Sequence, residues 1–446
     1  MIYNILYDYQ KQIVDRLKQN NVAGLFTDTG TGKSYMSIAL YQDKLFSGKV
    51  KKCLVICLKG KISEWVEDFK KFQPFDRIIE LDGKKKSKQA LMTGNWDIAI
   101  INFERTWRTK ELLTYIDKDC MIIIDESHKI NTPDTKQGKF ISLLGQNTDY
   151  KLILTATPMG NGYIDLYNQF YFLGLLKMGY DTFKEKFCVF RIKFIPGLRP
   201  FQEIARYINV DILEKLLADY CVFYERKVDN DLIPSTIEVK VKLDKQYNKI
   251  ARTRVYEDLA FDNVSNLRLC LKSLCSGSVI GKPLISDGTG ANKVYQLNKN
   301  KIEWVKTFLE TFNERVVIFY NYNHQVEQLY EEISKMKRPV ARYNSKHKEK
   351  DLYLEKDNCV MLCQYKSGGT GIDWLKKGYV GIFYSLPDSY IEFYQAKGRL
   401  FRNGQTKKPL FYVLLSEGSK SVDLMNYKAL KNKQDFTDDV FKRVFS

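Results

Sequence analysis

The sequence predicts an α/β protein built on parallel sheets. Short runs that are apolar throughout recur along the chain, at Leu54–Leu58, Ile98–Ile101, Met121–Ile124 and Leu152–Leu154, then at Val316–Tyr320, Val360–Cys363, Val380–Tyr384 and Phe411–Leu415. Helical or polar segments separate them. A strand without a polar face is buried on both sides, as in parallel sheets covered by crossover helices. Polar clusters follow several of these runs directly, which places them on one edge of a sheet, where open α/β sheets bind ligands.

The first such cluster lies in Gly24-Leu25-Phe26-Thr27-Asp28-Thr29-Gly30-Thr31-Gly32-Lys33-Ser34. An apolar run, a glycine-broken turn and a helical pattern through Met36, Ile38, Ala39 and Leu40 read as strand, phosphate loop and helix. Backbone N–H groups of Thr29, Gly30, Thr31 and Gly32 can turn inward around a phosphate. Lys33 would neutralise the outer phosphates, and Ser34 would hold a magnesium ion. Thr27 stands where the general G-x-x-x-x-G-K-[ST] pattern has its first glycine. An ordinary glycine turn with an exposed lysine is the alternative. Ahead of the loop, Tyr7 and Gln10 could stack on and hydrogen-bond an adenine, or serve as a helix cap.

The second cluster, Asp125-Glu126-Ser127-His128, follows Met121–Ile124. An acidic pair ending a buried strand is costly unless it meets a cation or hydrogen bonds. Asp125 can bind the magnesium held by Ser34, and Glu126 can orient and deprotonate the attacking water. Acidic residues capping a helix would look similar, but a phosphate loop on the same sheet favours nucleoside triphosphate hydrolysis. Leu154-Thr155-Ala156-Thr157-Pro158 follows the next strand. Its hydroxyls could relay from the acidic pair to another ligand, or form a simple turn.

Composition narrows the class. The 446 residues suffice for two to three domains, and the net charge of +18 points to a polyanionic partner such as nucleic acid. None of the nine cysteines forms a C-x-x-C pair, and the three histidines lack metal-ligand spacing to them, so a reduced, intracellular protein without structural zinc is expected. There is no signal-peptide pattern and no apolar run long enough to span a membrane.

Residues 160–300 differ from their surroundings. Aromatic and basic residues interleave through Phe183, Lys184, Lys186, Phe187, Phe190, Arg191 and Lys193. Such a segment can bind nucleic acid, with Phe187 and Phe190 stacking on an unpaired base and the four cations holding phosphates. An amphipathic core stripe with solvated lysines is equally compatible. Helical stripes are predicted at Ile212–Leu217, Val255–Leu259 and Leu267–Leu274, and an alternating strand at Ile237–Leu243. Beyond residue 300 the strand-end clusters are Asn321-Tyr322-Asn323, Lys366–Asp373 and Gln395–Gln405. In the last, Arg399 and Arg402 are three apart, the spacing of one helix face, and could stabilise transition-state charge on a triphosphate.

Taken together these motifs resemble the Swi/Snf-type branch of the superfamily-two DNA helicases and translocases. Leu58–Phe69, with its tryptophan and acidic-Phe tail, resembles the family's second motif, and Asp97–Arg105 the strand and turn after it. Leu154–Asn161 resembles L-T-G-T-P-x-x-N with Ala156 for the glycine. Cys221–Leu243 resembles the segment joining the lobes, and Gln395–Gln405 is close to Q-A-x-x-R-x-x-R-x-G-Q. Asp8 replaces the proline common beside the family's Tyr-Gln pair.

The resemblance implies two RecA-like lobes, ATP in the cleft between them and DNA across the face. Lobe 1 is expected over residues 1–228 with a helical insertion at about 178–220. Lobe 2 is expected over 229–446, with a helical insertion at about 244–300, the arginine fingers and a C-terminal helix. It further implies that Gln10, Gly30, Gly32, Lys33 and Ser34 bind nucleotide, that Gln395 touches the γ-phosphate region, and that Asp373 contacts the ribose or bridges the lobes. Lys59, Thr157, Asn321 and Thr370 are implied contacts to DNA phosphates. The compact chain is similar to phage-encoded branch-migration helicases, so no appended chromatin-reading, nuclease or zinc module and no nucleosome remodelling is expected. The implied protein is a monomer using ATP and Mg2+ on single-stranded, forked or junction DNA, in the cytoplasm (of a bacterial host if phage-encoded). An RNA helicase, or a motor subunit that only loads partners, are the rival readings.

Overall fold

Six consecutive residues, Cys120–Asp125, are all buried. In a strand, successive side chains point to opposite faces, so both faces of this one must be covered. In the computed structural model, Ile122 and Ile124 enter one core while Met121 and Ile123 enter another on the opposite face. The same division separates Leu54 and Ile56 from Cys53, Val55 and Cys57. Each buried isoleucine or leucine stabilises by about 1.5–3 kcal/mol before entropy is counted.

The structure describes residues 2–74, 76–160, 162–193, 201–225, 232–283, 292–365, 373–402, 404–418 and 420–432. They form two compact units, the first ending by Glu225 and the second running on from Leu232 among the described residues.

The first unit contains β1 (Val22–Thr27), β2 (Lys52–Cys57), β3 (Ile78–Glu80), β4 (Ile98–Asn102), β5 (Cys120–Asp125), β6 (Lys151–Leu154), a hairpin of β7 (Cys188–Lys193) and β8 (Phe201–Tyr207), and β9 (Cys221–Tyr224). Seven of them form one sheet in the order β3-β4-β2-β5-β6-β1-β9, and every neighbouring pair is parallel. Helices α1 (Asp8–Leu17), α2 (Lys33–Phe46) and α3 (Ile62–Phe72) pack on the face that holds Met121 and Ile123.

The second unit contains β10 (Ser235–Val241), β11 (Val255–Tyr256), β12 (Leu259–Ala260), β13 (Ser278–Gly281), β14 (Lys293–Gln296), β15 (Val316–Tyr320), β16 (Val340–Tyr343), β17 (Val360–Gln364), β18 (Val380–Phe383) and β19 (Leu410–Ser416). Its main sheet has the order β10-β19-β18-β15-β17-β16, again all parallel. Clean alternation at Ile237 is explained by position, because β10 is an edge strand and Ile237 is 42% exposed. The C-terminal helix Val422–Lys431 is tied down by a buried ion pair, Lys301 to Asp423, at 2.7 Å.

Three expectations need correction. The region 178–220 is not purely helical: the helices Tyr180–Phe187 and Val210–Tyr220 flank the antiparallel hairpin β7–β8. Val255–Leu259 is not a helical stripe but the hairpin β11–β12, with Glu257 at φ 49° in its turn. Five residues are too few to decide between helix and strand by period. Finally, Phe187 is fully buried and packs on Phe183 with ring centroids 4.7 Å apart, so it cannot stack on a base.

Candidate nucleotide and nucleic-acid sites

At the C-terminal end of β1, Gly30 and Gly32 take φ values of 80° and 82°. That left-handed region costs residues with a Cβ about 1–2 kcal/mol, and a Cβ on Gly32 would also lie 2.2 Å from Nε2 of Gln10. Thr27, in the place of the usual glycine, uses its side chain instead: its Oγ1 is 2.7 Å from Oγ1 of Thr31, which donates to the Asp28 carbonyl at 2.8 Å. The loop is braced from below. Gln10 Nε2 donates to the Thr31 carbonyl at 2.8 Å, and the Tyr9 hydroxyl does so at 3.0 Å. Oε1 of Gln10 accepts the Tyr7 N–H at 2.9 Å, so Gln10 is a helix cap and a loop brace at once. Tyr7 is 63% exposed beside Tyr9, whose ring stacks on Tyr224.

Lys33 and Ser34 open α2, so the positive end of a helix dipole and the N–H groups of the first turn point toward the loop, a ready anion site. Lys33 Nζ donates to the Thr27 and Asp28 carbonyls at 2.7 and 3.0 Å.

Register brings the acidic pair beside this loop. Asp125 is opposite Leu154 in the β5–β6 ladder, and Leu154 is opposite Leu25 in the β6–β1 ladder. Asp125 is 2% exposed; its Oδ2 accepts from Trp65 Nε1 at 3.1 Å and faces Lys61 Nζ at 3.4 Å. Glu126 is also buried and takes φ 62°, a conformation strained for a side-chain-bearing residue and one found at functional turns. His128 Nδ1 lies 3.4 Å from Glu126 Oε2 and 3.0 Å from Thr155 Oγ1, and Thr155 Oγ1 accepts the Thr157 N–H at 3.1 Å. Burial holds the His128 imidazole below its ordinary pKa, with Glu126 opposing. His128 thus stands between Glu126 and the hydrogen-bonded Thr155 and Thr157 of the next strand-end turn.

A buried carboxylate at a strand end and a hydroxyl at a helix N-terminus fit the chemistry of magnesium, which keeps several waters and binds through one or two carboxylates plus substrate phosphates. Asp125 and Ser34 are the residues that would hold it. Among the described residues, no group of three or more His, Cys, Asp or Glu could hold a metal ion by itself. No described helix is long and apolar enough to cross a membrane.

The nucleic-acid candidates divide. Lys59 is exposed in the turn Lys59–Lys61 after β2, and Thr157 is half-buried after β6; both lie beyond strand C-termini. In the hairpin region, Lys184 pairs with Asp181 and Arg191 with Glu203, each at 2.6 Å. Their charge is partly spent locally. Lys186 is exposed and Phe190 is 37% exposed, while the Lys193 side chain lies outside the described residues.

In the second unit the helix Tyr390–Leu400 carries Gln395 and Arg399, 7% and 2% exposed. Arg402 does not share its face. The helix ends at Leu400, and Arg402 folds back so that its Nε donates to the Gly398 carbonyl at 3.1 Å, meeting one of the carbonyls a helix end leaves open. Gln405 fastens this turn, its Nε2 donating to the carbonyls of Lys376, Gly378 and Leu400, each at 3.0 Å. Asn321 Nδ2 is committed to the Leu386 carbonyl at 2.8 Å. Thr370 lies outside the described residues; Asp373 opens the turn Asp373–Lys377, but its side chain is likewise outside them.

With this geometry in view, comparison with known proteins is decisive about ancestry. The SNF2-related domain matches residues 9–257, more than half of the chain, and the helicase conserved C-terminal domain matches residues 300–404. The chain belongs to the SNF2-related family. Similar proteins include the CHD3-type chromatin-remodeling factor PICKLE of Arabidopsis thaliana, 24% identical over 93% of this chain and 33% of that protein. The uncharacterized ATP-dependent helicase MG018 of Mycoplasma genitalium is 24% identical over 98% of this chain and 43% of its own length. The uncharacterized ATP-dependent helicase YqhH of Bacillus subtilis is 23% identical over 89% and 72%. This chain therefore spans about a third of the plant factor's length. A solved Sulfolobus solfataricus SWI2/SNF2 ATPase core in complex with dsDNA aligns with 98% of this chain and 92% of that one, at 21% identity and a TM-score of 0.44.

Within this SNF2-related chain, the structure brings Lys33, Ser34, Asp125 and Glu126 to one sheet edge of the first unit. Sequence reasoning assigned no role to Lys61, Trp65, His128 or Gln405. Lys61 and Trp65 were detectable in principle: they are four apart at the start of a helix, and a buried Asp125 requires partners. His128 and Gln405 gave no such signal, because no buried charge in the sequence called for them.

Proposed function

We propose that this chain hydrolyses ATP with Mg2+ and couples turnover to movement along DNA, unwinding or branch-migrating forked and junction DNA in replication, recombination or repair. The reading rests above all on one observation: the glycine turn with Lys33 at the start of α2 and the buried Asp125–Glu126 pair share one sheet edge. In this reading Lys33 and the loop N–H groups hold the phosphates, Ser34 and Asp125 the ion, and Glu126 the attacking water. Arg399 and Arg402 act as fingers, Gln395 senses the γ-phosphate region, and Asp373 meets the ribose. Lys59, Thr157, Asn321 and Thr370 track phosphates. The ATP-dependent helicase names of MG018 and YqhH support the ATP step. The charge of +18 and the exposed Lys59 support a polyanionic track. The setting is the cytoplasm, of a bacterial host if the chain is phage-encoded.

The test compares ATP turnover with single-stranded DNA, duplex DNA and RNA, then strand displacement on forks, four-way junctions and blunt duplex. DNA-stimulated turnover with displacement favouring branched substrates is expected. Stimulation by RNA alone would make the chain an RNA helicase, and turnover without displacement a motor that needs partners.

A further inference from the structure

A carboxylate as buried as Asp125 persists only with hydrogen bonds or a compensating charge. Trp65 Nε1–H supplies the first at 3.1 Å and the Lys61 ammonium the second at 3.4 Å, both at the same oxygen, Oδ2. Lys61 is itself only 16% exposed, so solvent screens the pair weakly. The two donors stand at the start of α3 and one turn into it, which aims both at β5. Asp125 is also the carboxylate assigned to magnesium, and the role inferred for Lys61 rests on that assignment.

We propose that Lys61 competes with the divalent cation for the Asp125 carboxylate, so that the ion must displace the ammonium to bind and Lys61 sets the metal affinity of the site. An ammonium and a divalent ion cannot both be held closely by one oxygen, because they repel each other at that distance. The displaced ammonium would turn toward Asp68 on α3. Asp68 lies seven residues on, two turns into that helix. Burial lifts the Asp68 carboxyl to about 6, with Lys61 first among the charges that oppose the lift. Trp65 keeps its hydrogen bond to Asp125 throughout and positions the carboxylate for either cation.

The experiment uses the full chain and ADP as the probe nucleotide. Calorimetry gives the ADP dissociation constant in EDTA and across a Mg2+ series. Electron paramagnetic resonance gives Mn2+ affinity at saturating ADP. Lys61→Met and Lys61→Gln both remove the charge, and Lys61→Arg keeps it. Both neutral variants should bind Mn2+ at least about fivefold tighter, the scale of a partly shielded ion pair, while Lys61→Arg stays within about twofold of the parent. Unchanged or weaker Mn2+ binding in the neutral variants, with ADP affinity in the parent still responding to Mg2+, overturns the competition alone. If ADP binding by the parent does not respond to Mg2+ at all, the metal assignment of Asp125 falls and this inference falls with it.

Discussion

The indole of Trp65 donates its only N–H to Asp125, at 3.1 Å and fully out of solvent. A buried carboxylate is thereby oriented by a residue sixty positions earlier. Trp65→Phe keeps the aromatic packing on Phe69 and deletes the donor. Leaving a buried acceptor short of one bond costs about 1–3 kcal/mol, so the urea midpoint should fall without a change of slope. An unchanged midpoint would mean that Lys61 alone satisfies the carboxylate.

Glu126→Gln preserves shape and removes the base proposed for the attacking water. Turnover should fall roughly 10²–10⁴-fold while nucleotide binding, followed by calorimetry, survives. Near-normal ATP turnover would take Glu126 out of the mechanism.

For the arginines, Arg399→Ala or Arg402→Ala should lower turnover by up to roughly 10³-fold or more, judged from arginine fingers in general. DNA affinity without nucleotide should hold. Gln405→Ala serves as the structural control, since it releases three carbonyls from one amide and should lower the melting temperature. If DNA affinity collapses in the arginine variants and turnover does not, they belong to the DNA track.

Phe187 and Phe190, both base-stacking candidates by sequence, should behave differently when truncated. Phe187 is fully buried and Phe190 is 37% exposed. Phe187→Ala should cost about 3–5 kcal/mol of stability, whereas Phe190→Ala should leave the melting temperature nearly unchanged. Forked-DNA affinity measured on the folded Phe190→Ala protein then reports any stacking. Equal destabilisation by the two changes would contradict this packing.

His324 supplies a pH test. Burial lowers its imidazole to about 4 from an ordinary 6.5, and its Nε2 sits 3.0 Å from Ser273 Oγ. The folded chain therefore binds its proton less readily than the unfolded one. The stabilisation is fully present above pH 6.5 and is lost as pH falls from 6.5 toward 4, by up to about 3 kcal/mol. Thermal melts between pH 7.5 and 5 should decline more steeply for the parent than for His324→Asn. Parallel curves would show that this histidine does not contribute.

By itself the sequence determined the fold class, the glycine turn at the start of α2 and the acidic pair at the end of β5. All three are written in neighbouring residues: runs apolar throughout require a sheet covered on both faces, Gly30 and Gly32 are close in sequence, and Asp125-Glu126 stands at the end of its strand. The strands the apolar runs marked lie within about two residues of those observed, for the same reason. What only the tertiary structure decided is which side chains serve those motifs. Trp65 and Lys61 reach Asp125, His128 reaches Thr155, and Gln405 closes the turn of Arg402, each across a fold that local periodicity does not encode. The same limit explains the errors. Phe187 and Phe190 look alike in a basic-aromatic run, and Val255–Leu259 has the length at which helix and strand share a pattern. In each case the decision lay in what packs against the residue, and that is a property of the folded chain.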